Sequence, residues 1–121
     1  MNDETTTVAD LKKMIATFVA ERDWEQFHDP KNLVMALTSE VGELADIFRW
    51  VTSEKALELA LDREHAQAVA NELADVMMFA LEFASVCGID VVSAMNTKLL
   101  INTEKYPVSK SKGSSRKYNQ L

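Results

Sequence analysis

Apolar residues recur at helical spacing along most of this chain, and few residues interrupt them. The 121 residues include only three glycines and two prolines, whereas Ala, Leu, Glu, Lys and Met are plentiful. These are good helix formers, and a protein of many short strands would need more turn residues and more β-branched residues. The pattern therefore predicts an all-α fold, and the length is that of about one domain.

Capping residues and helix breakers divide this pattern into a bundle of four main helices and a short connecting helix. Asp29 followed by Pro30 is typical of a helix start, because proline is tolerated in the first turn. Gly88 is a natural stop, and a helix cannot continue through Pro107. The predicted helices cover about residues 8–22, 30–51, 53–61, 62–86 and 90–106.

The last residues differ in composition from the helical part. Residues 108–121 are rich in serine, lysine and arginine and contain few core-forming residues. Such segments are typically flexible on their own. We therefore predict a helical domain over residues 1–107 and a flexible basic tail over residues 108–121.

Charge, thiol content and hydropathy exclude several classes of protein. A formal net charge of −6 repels a nucleic-acid polymer. The only thiol, Cys87, lies in an apolar stretch and is predicted to be buried rather than paired. The N-terminus lacks the pattern of a secretory signal, and no apolar run approaches the roughly 20 residues that cross a bilayer. These features predict a cytoplasmic protein that binds neither a membrane nor a nucleic-acid polymer.

Two pairs of acidic residues interrupt the apolar faces of the second and third long helices. Glu40 and Glu43 lie within one apolar arc, and Glu72 and Asp75 lie within the other. At about 100° per residue, the arcs are formed by Leu33, Leu37, Leu44, Ile47 and Val51, and by Val69, Val76, Phe79 and Phe83. Carboxylates three residues apart project from adjacent turns, so two such helices facing each other surround one volume with oxygen atoms.

Burying four carboxylates requires a partner that offsets the cost. An unpaired carboxylate removed from water costs several kcal/mol, a large part of the roughly 5–15 kcal/mol by which domains are stable. The two arcs hold no lysine or arginine at the level of the acids, whereas one divalent cation neutralises several carboxylates together. Oxygen ligands favour Mg²⁺ or Mn²⁺. A di-iron centre would need Glu-x-x-His pairs, and neither His28 nor His65 follows one of these acids by three residues.

Basic and amide side chains share one side of the fourth helix. Mg²⁺ is usually held by carboxylates together with substrate phosphates. The two acidic pairs and this row of basic and amide side chains therefore together indicate a polyphosphate ligand. Lys98, Asn102 and Lys105 are the candidates for contacting the phosphates. The alternative is a solvated helix end, where lysines interact favourably with the helix dipole.

Aromatic residues lie near both ends of the second helix. Trp24 and His28 precede it, and Trp50 lies near its far end. Aromatic side chains stack on nucleobases, so these residues are candidates for a base-binding surface. The alternative is that each belongs to the hydrophobic core.

These motifs resemble those of the MazG-like, all-α nucleoside triphosphate pyrophosphohydrolases. Glu40-x-x-Glu43 followed by Glu72-x-x-Asp75 is similar to the metal-binding signature of that family. The resemblance to the branch that cleaves dCTP extends from the first helix almost to the C-terminus. It rests on residues 21–28, 30–33, 40–44, 48–50, 102–107 and 114–118.

The resemblance implies a Mg²⁺-dependent enzyme that converts a nucleoside triphosphate, dCTP or a related deoxynucleotide, to the monophosphate and pyrophosphate. Its role would be to cleanse the nucleotide pool. The implied metal ligands are Glu40, Glu43, Glu72 and Asp75, and the implied base is a glutamate of the first pair, Glu43 before Glu40. The implied substrate-binding residues are Trp24, His28, Trp50, Phe79, Lys98, Asn102, Lys105 and Tyr106.

The resemblance also implies a dimer or tetramer in which neighbouring subunits complete the pocket. Four apolar stripes on so short a chain leave more surface to bury than one bundle hides, which agrees with an apolar subunit interface. The basic tail would fold over the triphosphate when it binds.

Two alternative functions stay open from the sequence. Phe79 stands where the dCTP-cleaving proteins can carry a tyrosine, so a hydroxyl contact near the sugar would be absent. The preference for the deoxyribose and for cytosine is therefore open. One alternative is dUTP hydrolysis, which related all-α folds perform. The other is a non-catalytic helical module whose acidic groove binds a basic partner. Such a module would not gain stability from Mg²⁺ and nucleotide, whereas an enzyme would.

Overall fold

The computed structural model describes all residues from Met1 to Leu121 and contains only helices and turns, which confirms the all-α prediction. The α-helices are α1 (Val8–Glu21), α2 (Pro30–Phe48), α3 (Ala56–Leu61), α4 (Ala66–Val86), α5 (Val91–Lys105) and α6 (Val108–Ser111). Single 3₁₀ turns cover Glu25–Phe27, Ser53–Lys55 and Tyr118–Gln120.

Side-chain caps begin three of the long helices. Thr7 and Asp10 form a reciprocal capping box, in which each backbone N–H donates to the other residue's side chain at 3.0 and 3.1 Å. Asp29 and Asp90 each accept a hydrogen bond from the backbone N–H three residues later, at 2.9 Å. These bonds satisfy donors that a helix start leaves unpaired, and the predicted starts of α1, α2 and α5 are confirmed.

The second helix ends about one turn earlier than predicted. The apolar pattern predicts an end near Val51, whereas α2 ends at Phe48. Beyond it the chain closes in tighter turns, in which Arg49 N donates to Asp46 O and Val51 N donates to Phe48 O. Bonds of this i to i+3 type commonly end an α-helix, so Val51 is not part of the apolar face of α2.

Helix α4 begins at Ala66, later than the start predicted at residue 62. One carboxylate oxygen of Asp62 accepts from Glu64 N at 3.0 Å, and the other lies 2.9 Å from His65 Nδ1. Aspartate side chains that bond to nearby groups in this way compete with helix formation. The turn therefore occupies residues 62–65, and α4 starts at Ala66.

The chain leaves α4 through a left-handed glycine. Helix α4 ends at Val86, and Gly88 has a φ of +65°, which glycine adopts without steric cost. Cys87 lies between them and is exposed. The prediction of a buried thiol is wrong, because Cys87 lies beyond the last turn of α4 and its apolar neighbours in the sequence do not enclose it.

Two compact units make up the chain, Met1–Gly88 and Ile89–Leu121. In the first unit α4 packs mainly on α2 and less extensively on α1. Its buried residues are Val19, Leu33, Leu81, Glu82 and Ala84. None of the α-helices alone has both the length and the apolar composition of a membrane span, and α4 and α5 meet these requirements only when counted together.

The second unit contains α5, α6 and the turn Tyr118–Gln120. Helix α6 and this turn lie within the segment that the sequence predicts to be a flexible tail. The flexibility of that tail and the predicted division of the chain at residue 107 stay predictions.

Candidate metal and nucleotide site

Three glutamates converge where α2 packs on α4. Glu40 and Glu43 come from α2 and Glu72 comes from α4, and one carboxylate oxygen of each lies within 4.8 Å of the others. The two helices that the sequence predicts to carry acidic pairs thus bring acids of both pairs together. Glu40 and Glu72 are half-buried, whereas Glu43 is exposed.

Asp75 adds a fourth negative charge to this group. It is half-buried on α4 and follows Glu72 by three residues, on the same helical face. Its charge raises the pKa of both Glu40 and Glu72, so it lies within electrostatic reach of both. We call Glu40, Glu43, Glu72 and Asp75 the acidic cluster.

Removal from water and mutual repulsion raise the pKa of two members of the cluster. Removal from water is the largest cause for Glu40, followed by hydrogen bonding with Glu43 and by the charges of Glu43, Asp75 and Glu72. For Glu72, removal from water again contributes most to the raised pKa, followed by hydrogen bonding with Glu43 and by the charges of Glu43 and Asp75. All these effects disfavour the ionised carboxylate.

The negative charge of the cluster lacks a compensating side chain. The ion pairs formed by Arg22, Arg49, Lys55 and the two histidines involve other acids. Glu40 Oε2 and Glu72 Oε2 are buried without a hydrogen-bond partner, although buried polar atoms are nearly always paired. Oxygen-rich ligand sets of this kind suit a divalent cation, so the acidic cluster fits a metal ion.

We predict that Mg²⁺ stabilises the protein more at neutral pH than at acidic pH. The raised pKa values of Glu40 and Glu72 mean that the folded protein binds protons more tightly than the unfolded chain does. Protonation therefore stabilises the metal-free protein below the ordinary carboxyl pKa of 4.5, and this contribution is lost as the pH rises through the raised values. Metal binding needs the deprotonated carboxylates.

The measurement is the shift in melting temperature on adding Mg²⁺, compared at about pH 7.5 and about pH 4.5 at matched ionic strength. A clear rise at the higher pH and little change at the lower pH are expected. Equal shifts at both pH values, or an equal shift with sodium chloride alone, would contradict this prediction.

Two of the predicted base-side residues lie together before α2. The ring centroids of Trp24 and His28 are 6.4 Å apart, and Trp24 also meets Phe18 edge-on at 5.7 Å. Trp24 is half-exposed and His28 is largely buried. One face of Trp24 therefore stays accessible beside a buried histidine, an arrangement that can receive a planar ring.

Trp50 lies apart from this pair. It is 88% exposed and forms no ring contact with Trp24 or His28, although the Arg49 guanidinium lies 5.1 Å from the centre of its ring. The role of Trp50 in substrate binding stays a prediction.

The predicted phosphate-side residues belong to the second unit. Lys98, Asn102 and Lys105 lie on α5, and Tyr106 ends this helix. The Tyr118 ring meets the Tyr106 ring edge-on at 6.1 Å, and Lys105 Nζ lies 4.9 Å from the centre of the Tyr118 ring. Both lysines are exposed. The approach of these residues to a triphosphate stays a prediction.

One buried acid lies outside the set predicted from the sequence. Glu82 is only 7% exposed, and its Oε1 lies 3.6 Å from His28 Nδ1. It follows Asp75 by seven residues and Phe79 by three, so all three share one face of α4. Glu82 lies at the edge of the apolar arc of α4 and has no acidic partner three residues away, so it lacks the paired signal that identified the two acidic pairs.

The sequence model of the MazG-like family matches residues 35–121 of this chain, which include both acidic pairs. Human dCTP pyrophosphatase 1 is 41% identical over 115 residues, which cover 95% of this chain and 68% of the human protein. The dATP/dGTP diphosphohydrolase of cyanophage S-2L is 30% identical over 110 residues, which cover 91% of this chain and 87% of the phage protein.

A solved structure shows the same fold. The crystal structure of a pyrophosphatase from Archaeoglobus fulgidus superposes with a TM-score of 0.78 at 30% sequence identity. The match covers 88% of this chain and 98% of that chain. The sequence relatives and the structural neighbour are thus all named as pyrophosphatases or diphosphohydrolases.

Proposed function

The chain belongs to the MazG-like family and is a nucleotide pyrophosphohydrolase, and from this premise we propose that it converts dCTP or a related deoxynucleoside triphosphate to the monophosphate and pyrophosphate. The observation that carries the proposal is the acidic cluster, in which Glu40 Oε2 and Glu72 Oε2 are buried without a partner. Its proposed role is to cleanse the nucleotide pool of the cytoplasm.

We infer that the cation is Mg²⁺, with Mn²⁺ as a substitute. The acidic cluster supplies only carboxylate oxygens, which these hard cations prefer. Glu40, Glu43, Glu72 and Asp75 would hold the ion. Once bound, it would draw charge from the phosphate oxygens and acidify a water molecule.

Glu43 is the proposed general base. It is the exposed member of the three converging glutamates, and its carboxylate raises the pKa of both Glu40 and Glu72. A carboxylate at the open side of the cluster can accept the proton of an attacking water. Attack at the α-phosphorus breaks its bond to the bridging oxygen, and pyrophosphate leaves with the electron pair. Glu40 is the alternative base of the same pair.

The remaining substrate contacts follow from the chemistry of the side chains. Trp24 and His28 would contact the base, and Phe79 would lie near the sugar because it is one turn beyond Asp75 on α4. The proposed phosphate contacts are Lys98, Asn102, Lys105 and Tyr106. The basic tail would close over the triphosphate. Trp50 would also contact the base, in a pocket that helices of a neighbouring subunit complete.

We infer that the active form is a dimer or tetramer. Only four hydrophobic residues are buried, whereas many large apolar side chains are exposed. These include Met35, Trp50, Leu57 and Leu61, which are between 65% and 88% exposed. A large exposed apolar surface is typical of a subunit interface. Light scattering after size-exclusion chromatography would measure the mass directly.

The test of the proposed reaction is product analysis with a panel of ribonucleoside and deoxynucleoside triphosphates, including dUTP. Chromatography should detect a nucleoside monophosphate and pyrophosphate, with dCTP among the best substrates. A preference for dUTP would support the alternative substrate. Release of orthophosphate, or no cleavage of any nucleotide, would contradict the proposed reaction, and the second result would favour a non-catalytic module.

A further inference from the structure

A cleft of about 400 Å³ opens in the first unit beside α4. Its lining includes Val19 of α1, His28 from the connection into α2, and Glu82 and Ser85 of α4. None of these residues belongs to the acidic cluster, so the cleft is a separate feature of the same unit. It combines apolar walls with a buried carboxylate and an imidazole.

Two polar groups of this cleft, Glu82 and His28, are buried and incompletely bonded, whereas its other polar lining residues, Glu25 and Ser85, are exposed. The Glu82 side chain is 9% exposed and the His28 side chain is 16% exposed. Glu82 Oε2 and His28 Nδ1 both lack a hydrogen-bond partner, and the 3.6 Å between Glu82 Oε1 and His28 Nδ1 is too long for a hydrogen bond. A buried carboxylate left in this state is costly, which points to a ligand that supplies a donor.

The position of Glu82 along α4 indicates which part of a nucleotide it would meet. Asp75, Phe79 and Glu82 occupy successive turns of one face, and Asp75 and Glu82 are about 10 Å apart along the helix axis at 1.5 Å per residue. This distance is comparable to that from the α-phosphate of a nucleotide to the far edge of its base. Trp24, whose ring neighbours His28, adds a flat surface at the same end.

We propose that Glu82 and His28 read the nucleobase, with the Glu82 carboxylate accepting a hydrogen bond from the exocyclic amino group of the base and His28 bonding to the neighbouring ring nitrogen. This inference rests on the proposed pyrophosphohydrolase function and adds the residues that select the base. Carboxylates accept from the amino group of cytosine. Uracil and thymine carry a carbonyl oxygen at that position, which would place two acceptors against each other.

The comparison of dCTP with dUTP isolates this contact, because dCTP carries an amino group beside an unprotonated ring nitrogen where dUTP carries a carbonyl oxygen beside a ring N–H. Wild-type protein should favour dCTP in kcat/KM by about a hundredfold or more, since a site built for a hydrogen bond rejects an analogue that leaves its buried group unpaired. In Glu82→Gln the side-chain amide can donate to a carbonyl. This variant should lose about tenfold or more with dCTP and gain with dUTP.

Two further variants and a binding assay separate base reading from a structural role. Glu58→Gln makes the same chemical change on an exposed glutamate of α3 and should leave the dCTP to dUTP ratio unchanged. Binding of dCMP and of dUMP is measured by tryptophan fluorescence without metal. The preference of the wild-type protein for dCMP should be lost in Glu82→Gln and in Glu82→Ala. Melting temperatures show whether each variant is folded.

The outcomes distinguish this inference from the proposed function. If wild-type protein cleaves no triphosphate, the proposed function fails. If it prefers dCTP and a folded Glu82→Gln variant keeps that ratio and the preference for dCMP, base reading by Glu82 is overturned while the function stands. A wild-type protein that cleaves dUTP as well as dCTP would also overturn base reading.

Discussion

Replacing Asp75 by asparagine, or Glu43 by glutamine, is expected to lower kcat/KM for the preferred triphosphate by about a thousandfold or more. Each change keeps the shape of the side chain and removes one negative charge from the acidic cluster. Asp75 and Glu43 both raise the pKa of Glu40 and of Glu72, so both act on these carboxylates. Loss of either acid would therefore weaken cation binding, and loss of Glu43 would also remove the proposed base.

The measurement is pyrophosphate release at saturating Mg²⁺, with circular dichroism on each variant. Helix content should be unchanged, because neither substitution removes an apolar contact. Glu58→Gln is the matched control, since it removes a charge from an exposed glutamate that pairs only with Lys55 at 3.3 Å. Turnover near the wild-type value in either cluster variant would count heavily against the assigned site.

Removal of divalent cations is expected to reduce turnover to background. Without a cation the cluster concentrates negative charge that would repel a triphosphate, and buried oxygens of Glu40 and Glu72 stay unpaired. Adding Mg²⁺ after chelation should restore the rate, and Mn²⁺ should substitute for it.

Pyrophosphate should be measured directly by ion chromatography, because coupling enzymes often need Mg²⁺ themselves. The apparent melting temperature, followed in the same samples, shows whether the chelated protein is still folded. Sustained turnover by folded protein in excess chelator would show that the reaction does not need the cation.

The acidic cluster was predictable from the sequence for a physical reason. Both pairs lie on apolar arcs with helical period, and a helix packs its apolar face against its neighbour. Glu40 and Glu72 could therefore be expected to converge wherever α2 met α4, as they do. The starts of α1, α2 and α5 were equally predictable, because the caps at Thr7, Asp29 and Asp90 act locally.

Other features depend on contacts that periodicity does not encode. Glu82 is an isolated acid, and its proximity to His28 arises only when the connection before α2 folds against α4. The exposure of Cys87 depends on where α4 ends, and the early end of α2 on competing i to i+3 bonds. Whether Lys98 and Lys105 reach a phosphate likewise cannot follow from their spacing on one helix.

The most direct test of the account is whether the acidic cluster binds a divalent cation. Titration of Mn²⁺, with the free ion followed by electron paramagnetic resonance, should show saturable binding to wild-type protein at neutral pH. The Glu40→Gln/Glu72→Gln double variant should lose this binding, whereas Glu58→Gln should keep it. Equal Mn²⁺ binding by the wild-type protein and the folded double variant would contradict the claim that these buried carboxylates hold the catalytic metal.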